Sequence, residues 1–152
     1  MNIRKMKISD VPFFNIVRNE CSIYLHDKST HTLKEAYHWF KNIKDDSPYF
    51  ICEIECQPIG YFRTSKWHNK SCYIGMDIHK EYRGQGFAVD AYKKMFEILN
   101  KEYDIMTVEL EVLKSNKRAY NLYNKLGFVE TKRESFLNDD NIYMKLKISQ
   151  GF

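Results

Sequence analysis

Hydrophobic and polar residues follow two periods along the chain, a period of two that predicts strands and a period near 3.6 that predicts helices. The strand-like stretches are Met1–Ile8, Tyr49–Cys56, Ile59–Lys66, Ser71–Ile78, Met106–Leu113, Phe128–Thr131 and Ile142–Ile148. The helical stretches begin after Ser9, at the Thr32–Glu35 capping box, after Gly86 and after Ser115, and they extend to about Asn19, Ile43, Leu99 and Gly127. The predicted order is β-α-α-β-β-β-α-β-α-β-β.

The connections between these elements predict the sheet. Gln57–Pro58 is expected to join two hairpin strands tightly, and Trp67–Lys70 is expected to form a polar turn. The strand, helix and strand between Ser71 and Leu113 indicate a parallel crossover inside an otherwise antiparallel sheet. We therefore predict an α/β (α+β) fold with a mixed, mostly antiparallel sheet, in a single domain over residues 1–152.

Composition narrows the class of protein. A net charge of +4, with Lys and Arg mixed among acidic residues, argues against a dedicated nucleic-acid binder. We expect no membrane segment, because no signal peptide opens the chain and no apolar run approaches a membrane span. Cys21, Cys52, Cys56 and Cys72 include no Cys-x-x-Cys pair, which argues against a metal site and for a reduced, cytoplasmic setting. Cys52 and Cys56 flank Ile54 at period two and are expected to be buried thiols.

The segment Arg83-Gly84-Gln85-Gly86-Phe87-Ala88 lies where a predicted strand gives way to a helix. Glycine permits a positive φ and a close approach to the backbone, and the free N–H groups of a helix's first turn attract anions. A pyrophosphate suits such a cradle, and Arg83 adds a positive charge at its edge. The segment lacks the Gly-Lys-Ser/Thr of a Walker loop, and Val89 stands where a Rossmann fingerprint needs glycine. On its own the segment is equally consistent with an ordinary turn.

A second sequence block makes the interpretation of the glycine segment more specific. Leu110–Phe128 contains Glu-Val-x-x-Ser-Asn-x-x-Ala, followed by Leu-Tyr-x-Lys-x-Gly-Phe. Together with Glu81–Ala88, which is similar to an [R/Q]-x-x-G-x-[G/A] motif, it resembles the GNAT superfamily of acetyl-CoA-dependent N-acetyltransferases. The close match covers Tyr73–Phe128 and implies the GNAT fold, in which the central parallel strands splay apart.

This resemblance implies a role for each matching residue. Main-chain groups near Met76 and Ile78 would bind the pantetheine arm of acetyl-CoA, and the N–H groups of Gly84–Ala88 would hold its pyrophosphate. The Asn116 side chain would contact the co-substrate, and the Tyr123 hydroxyl would reach its sulfur. No metal is implied.

The acid and the base follow from the chemistry of amine attack on a thioester. A tyrosine such as Tyr123, with a pKa near ~10, is protonated at pH 7 and can donate to a departing thiolate of pKa about 8.5. Many relatives place an acid in a Glu-Ile-Gly triplet, but this chain has Tyr73 at that acidic position. Glu111 is our choice for the base, because ribosomal-protein N-terminal acetyltransferases place theirs at the same Glu-Val step, and Asp77 is the alternative.

The acceptor is expected to be a small-molecule or peptide amine. Candidate contacts are Arg18–Asn19, Tyr24–His31, Trp39–Phe40, the Trp67 turn and the acidic loop within Phe136–Tyr143. The order of these features resembles enzymes that acetylate amino groups on nucleotide-linked sugars, a branch that overlaps with protein N-terminal acetyltransferases. A non-catalytic CoA-binding sensor or docking module is the alternative function. The oligomeric state stays open, with a homodimer among the alternatives.

Overall fold

The computed structural model describes residues 1–43 and 45–148, and its centre is a seven-stranded sheet in the order β1-β2-β3-β4-β5-β7-β6. The strands are β1 Asn2–Lys5, β2 Tyr49–Ile54, β3 Gln57–His68, β4 Ser71–Ile78, β5 Thr107–Leu113, β6 Val129–Phe136 and β7 Asp139–Lys147. The helices are α1 Val11–Cys21, α2 Leu33–Asn42, α3 Phe87–Tyr103 and α4 Lys117–Leu126. The predicted order of elements and the predicted mixed fold are confirmed.

The strands β4 and β5 form the parallel pair at the centre of the sheet. Their ladder joins Ser71–Tyr73 to Thr107–Glu109, while every other neighbouring pair of strands in the described sheet is antiparallel. Because the ladder covers the first residues of each strand, β4 and β5 diverge toward their C-terminal ends. The chain leaves those ends toward α3 and α4, so an opening forms where both helices begin.

Each face of the sheet is covered by a pair of helices. The larger core packs α3 and α4 against one face through Tyr92, Phe96 and Tyr123. The smaller core packs α1 and α2 against the other face, where Phe14 stacks on Trp39 with ring centroids 4.7 Å apart. The period-two pattern of the strands therefore distributes apolar side chains to two different cores.

Local signals explain where the helices begin. Thr32 and Glu35 form the predicted capping box at α2, with Thr32 Oγ1 accepting from the Glu35 amide at 3.2 Å. The predicted cap of α4, Ser115, is wrong by one residue. Asn116 is the N-cap, and its side chain accepts from the Ala119 amide at 3.4 Å, while the Ser115 hydroxyl donates to Asp139.

The start of α1 also differs from the prediction. The helix begins at Val11 with Asp10, not Ser9, at its N-cap. The Asp10 carboxylate accepts from both terminal nitrogens of Arg4 at 2.8 Å and from the Lys7 amide at 2.7 Å. A charged group that anchors this turn to β1 thus replaces the short hydroxyl cap that we expected.

The β2–β3 hairpin turns earlier than predicted. Its turn residues are Glu55 and Cys56, with φ of 50° and 64°, and not Gln57–Pro58. Such left-handed pairs match the twist of the flanking strands. Cys56 is therefore exposed, which corrects the expectation of a buried thiol, whereas Cys52 is buried. In the same way β3 continues through Trp67, and the following turn contracts to Asn69–Lys70.

The last hairpin is longer than the sequence predicted. β6 and β7 meet at Leu137, whose φ is 55°. All but the last residue of β6 are exposed, so this edge strand carries polar side chains on both faces and lacks the alternation that predicts strands. The acidic residues Asp139 and Asp140, expected in a loop, begin β7.

Candidate active site

The opening between β4 and β5 forms a cavity of about 630 Å³. Its walls come from the C-terminal ends of both strands, the glycine turn, α4 and the end of α1. The predicted site residues that line it are Met76, Asp77, Ile78, Arg83, Gly84, Gly86, Phe87, Ala88, Glu111, Asn116 and Tyr123. The two sequence blocks, separate along the chain, therefore meet around one space.

The glycine turn forms one end of this cavity. Gly84 and Gly86 have φ of +74° and +83°, and Gly86 is the N-cap of α3. The N–H groups of the first turn of α3, which have no partner within the helix, lie at the cavity edge. The Gln85 side chain turns back to donate to the Glu81 carbonyl at 2.8 Å and lies outside the described lining.

Arg83 is held by the protein itself. Its Nε donates to the Ile78 carbonyl at 2.9 Å, and a terminal nitrogen donates to the Cys21 sulfur at 3.1 Å. Burial, reinforced by the charge of Asp77, raises the pKa of the Cys21 thiol to about 11, so the sulfur stays protonated at neutral pH. The guanidinium thereby fixes the turn to the end of β4 while it lines the cavity.

Tyr123 reaches the cavity from α4 and is only 7% exposed. The Tyr92 hydroxyl donates to the Tyr123 oxygen over a long 3.4 Å contact. Burial raises the pKa of Tyr123, which keeps its hydroxyl protonated at neutral pH. Because Tyr92 supplies the proton in their shared contact, the proton of Tyr123 is free to be donated elsewhere.

Glu111 lines the cavity from β5, with 26% of its side chain exposed. One carboxylate oxygen accepts from Asn141 Nδ2 at 2.8 Å, and the other lies 3.5 Å from Lys66 Nζ. Partial burial acts to raise the pKa of Glu111, but hydrogen bonds from Asn141, Tyr143 and Lys66 and the charge of Lys66 outweigh it, and the net pKa is lowered. Glu111 is therefore an ionised carboxylate at the cavity wall at neutral pH.

Asp77, the alternative base, has its charge compensated. It is 6% exposed, and one oxygen accepts from the Tyr61 hydroxyl at 2.5 Å and from Arg63 Nη1 at 3.0 Å. The Arg63 guanidinium lies against Gly75, its register partner, where a Cβ would stand 2.3 Å from a terminal nitrogen. Asp77 is therefore the more deeply buried of the two candidate bases, and a guanidinium balances its charge.

Sequence reasoning missed Arg63, although a signal was present. Arg63 lies two residues after Tyr61, on the same face of β3, which packs against α1. A charged residue therefore occupies a position where the alternation predicts an apolar one. A half-buried charge needs a partner, and the glycine directly opposite provides the space for the guanidinium.

The residues proposed for acceptor binding divide between two cavities. Tyr24, Leu25 and His26 line the main cavity. A second cavity of about 310 Å³ on the α1–α2 side is lined by Arg18, Asp27, His31 and Trp39, and Arg63 lines both. Of the other candidates, Trp67 packs on Tyr103 at the opposite end of the sheet and Phe40 packs against Trp39.

Side chains from the end of α1 hold the segment that follows it. Arg18 donates to the carbonyls of Asp27 and Ser29 at 2.9 and 3.1 Å. Asn19 exchanges two hydrogen bonds with the His31 backbone, at 2.8 and 2.9 Å. The Arg-Asn pair noted in the sequence thus shapes the segment after α1, whose residues Tyr24, Leu25 and His26 line the main cavity; we call this segment the acceptor-side wall.

Residues 1–43 and 45–148 contain no cluster of three or more His, Cys, Asp or Glu side chains able to hold a metal ion. Among the same residues, no helix is both long and apolar enough to cross a membrane. All four cysteines are free.

Comparison with known proteins agrees with this geometry. Residues 13–128 match the model of the acetyltransferase (GNAT) family. The chain belongs to the GNAT acetyltransferase family. As a member of this family it is an acetyl-CoA-dependent N-acetyltransferase, an enzyme that transfers an acetyl group to an amine.

Individual relatives of this GNAT protein act on different amines. It is 24% identical to the N-alpha-acetyltransferase of Sulfurisphaera tokodaii over 123 residues, which cover 71% of this chain and 74% of that protein. It is 39% identical to the thialysine N-epsilon-acetyltransferase of Bos taurus over 69 residues, or 44% of this chain and 39% of that protein. A variant of the spermidine N-acetyltransferase from Vibrio cholerae superposes with a TM-score of 0.84 at 22% identity, covering 98% of this chain and 96% of that one.

Proposed function

We propose that this GNAT protein binds acetyl-CoA in the cavity between β4 and β5 and acetylates an aliphatic primary amine there. The observation that carries the proposal is that one cavity brings together the glycine turn, Tyr123 and Glu111. An anion cradle, a proton donor and a proton acceptor are the three elements that direct amine attack on a thioester requires.

The residues around the cavity fit acetyl-CoA. The first turn of α3 behind Gly84 and Gly86 suits its pyrophosphate, and the exposed Arg118 at the same edge adds positive charge. The divergence of the strands leaves main-chain groups of Met76 and Ile78 beside the opening for the pantetheine amides. The Ile78 carbonyl already accepts from Arg83, so its N–H is the group left for the ligand. Asn116 keeps its amide nitrogen available while its oxygen caps α4.

Acetyl transfer needs a neutral amine and a protonated leaving thiolate. Tyr123 supplies the proton, because its raised pKa keeps the hydroxyl protonated and Tyr92 occupies only its oxygen. Glu111 accepts the amine's proton, directly or through water. For a peptide N-terminus of pKa about 7.7–8.0 this deprotonation costs roughly 1 kcal/mol at pH 7, and for a Lys-like amine near ~10.4 about 4–5 kcal/mol. An ionised, weakly basic Glu111 is sufficient to deprotonate a peptide N-terminus. For a Lys-like amine it is aided by the orientation of the substrate.

The acceptor class rests on charge and on the relatives. The similar enzymes are named for acetylation of an alpha-amine, of the epsilon-amine of thialysine and of spermidine, and thialysine and spermidine both carry aliphatic primary amines. In this protein the ionised Glu111 carboxylate attracts a cationic amine toward the acceptor end. Tyr24 contributes an aromatic surface over which an alkyl ammonium can lie. An amino-sugar nucleotide is kept as the comparison acceptor, because the Glu111 carboxylate would repel its diphosphate.

The test is an amine panel with detection of free CoA thiol. The panel contains spermidine, thialysine, a peptide with a free N-terminal alanine and an amino-sugar nucleotide, each with acetyl-CoA. We expect turnover with at least one aliphatic amine and a higher melting temperature in saturating acetyl-CoA. Turnover restricted to the amino-sugar nucleotide would overturn the acceptor class, and the absence of both turnover and a thermal shift would overturn the proposed function.

Tyr123→Phe separates an enzyme from a CoA-binding sensor or docking module. The substitution should lower kcat by about 10²-fold or more, the range that general acid catalysis supplies, while acetyl-CoA affinity changes little. Tyr103→Phe, which removes a hydroxyl at the far end of α3, is the matched control and should leave both unchanged. Unchanged turnover in Tyr123→Phe would exclude Tyr123 as the acid.

A further inference from the structure

The buried side-chain amide of Asn141 lies between Glu111 and His26, two residues that line the main cavity. Asn141 in β7 is 5% exposed, and its Nδ2 donates to Glu111 Oε1 at 2.8 Å. Its Oδ1 lies 2.6 Å from His26 Nε2. Because an amide oxygen accepts hydrogen bonds and never donates them, the His26 Nε2 must carry the proton. Both polar atoms of the amide are therefore engaged, one with each neighbour.

The three residues come from distant parts of the chain. Glu111 and His26 both line the main cavity, Glu111 from β5 and His26 from the segment after α1, while Asn141 lies on β7 outside the lining. The His26 ring also packs edge-on against Phe136, with centroids 5.2 Å apart. Asn141 thus connects the wall on the α1 side to the carboxylate proposed as the base.

Only one orientation of this amide satisfies both neighbours. If its oxygen and nitrogen were exchanged, the amide oxygen would face the Glu111 carboxylate, and two acceptors would repel each other. The carboxylate therefore fixes the amide, and the amide oxygen in turn selects the His26 tautomer that carries its proton on Nε2. A carboxylate with one oxygen held presents its other oxygen in a defined direction, which proton transfer requires.

On the basis of the function proposed above, we infer that Asn141 is a positioning residue for acetyl transfer. It orients Glu111 through its amide nitrogen and holds the acceptor-side wall at His26 through its amide oxygen. It does not touch the reacting atoms itself, because it lies outside the cavity lining given by the described residues.

The kinetic test replaces Asn141 by leucine, which has a similar size and no hydrogen-bonding groups. With the panel amine that turns over fastest, Asn141→Leu should lower kcat about tenfold to a hundredfold, while KM for acetyl-CoA stays within twofold. The matched control is Asn42→Leu at the exposed end of α2. The Asn42 amide nitrogen donates to the His38 carbonyl at 2.8 Å, and its substitution should change neither constant.

His26 provides a second pair of variants that does not disturb the core. His26→Gln keeps a donor at the position of Nε2 and should lower kcat less than His26→Leu does. His26→Leu removes the donor and should lower kcat several-fold and raise KM for the amine. The double variant that combines His26→Leu with Asn141→Leu should lose little more kcat than Asn141→Leu alone, because both substitutions act through the same amide. Additive losses, or equal activity in the two His26 variants, would contradict the inference.

Two measurements decide the inference even if no amine is turned over. A ¹³C-carboxyl NMR titration should show a higher pKa for Glu111 in Asn141→Leu than in the parent protein. Hydrogen exchange should speed up about tenfold at residues 24–27 in His26→Leu but not in His26→Gln. An unchanged Glu111 pKa with unchanged exchange would overturn the inference. If the parent protein turned over no amine, that result would count against the proposed function and not against this inference.

Discussion

Gly75→Ala should destabilise the protein through a residue on the neighbouring strand. A Cβ at position 75 would stand 2.3 Å from a terminal nitrogen of Arg63 and 2.9 Å from its Nε. The guanidinium must therefore move, and we expect this movement to weaken its 3.0 Å ion pair with Asp77. The added methyl group itself fits β-strand geometry, so the loss arises from the displaced arginine.

The size of the effect follows from what Asp77 loses. A hydrogen bond to a charged group contributes about 1.5–3 kcal/mol, and a buried carboxylate left with fewer partners adds a desolvation cost. Asp77 keeps the Tyr61 hydroxyl, and Arg63 is 31% exposed and can reach solvent, which limits the loss. We expect about 2–3 kcal/mol, or a fall in Tm of about 5–10 °C for a domain of this size.

Urea denaturation of four proteins tests this reasoning. The set is the parent, Gly75→Ala, Arg63→Ala and the double variant, with midpoints and m-values measured for each. Once Arg63 is truncated there is nothing for the new Cβ to displace, so the double variant should be no less stable than Arg63→Ala. Additive losses, or a Gly75→Ala protein within about 0.5 kcal/mol of the parent, would refute the assigned clash.

Three further predictions concern other parts of the molecule. Burial acts to raise the pKa of Asp10, but the hydrogen bonds from Arg4 and a backbone amide lower it overall, so its stabilisation is present above the ordinary Asp value and is lost as the pH falls through the folded value. Asp10→Asn should therefore cost about 1–2 kcal/mol at pH 7 and progressively less as the pH falls below the ordinary Asp value, as urea midpoints measured over a falling pH series will show. Iodoacetamide at pH 7.5 should label exposed Cys56 well before Cys21, whose pKa is raised to about 11, and labelling of both at equal rates in peptide mass spectra would contradict the assigned burial. Gly86→Ala should lower stability by about 1 kcal/mol, because alanine must adopt φ of +83°, and should raise KM for acetyl-CoA; an unchanged KM would exclude the turn from co-substrate binding.

The regular elements were predictable because their signals are local. The alternation in Ser71–Ile78 and the stripe that includes Ala91 and Met95 place β4 and α3 correctly. The Thr32 capping box is self-contained, and the structure preserves it. These signals depend on residues within one or two turns of each other, which a single sequence displays directly.

Features that depend on partners from distant positions were not predictable. Arg63 is explained by Gly75 and Asp77 together, and Asn141 is explained by Glu111 and His26. In each case the residue type is understood only once the sheet register is known. The misplaced β2–β3 turn has a related cause. The twist of the paired strands favours a turn at Glu55–Cys56 over one at Gln57–Pro58, and this twist leaves no signal in the local sequence.

The short ladder between β4 and β5 also bears on how the molecule unfolds. Three residue pairs connect the four strands on one side of the sheet to the three on the other. The two halves are therefore joined chiefly through the side chains that α3 and α4 pack against both. A ligand that fills the gap adds hydrogen bonds across this seam and makes the halves melt together. The melting cooperativity of this protein should then rise with occupancy, so that the steepness of its thermal transition, as well as the midpoint, reports on ligand binding.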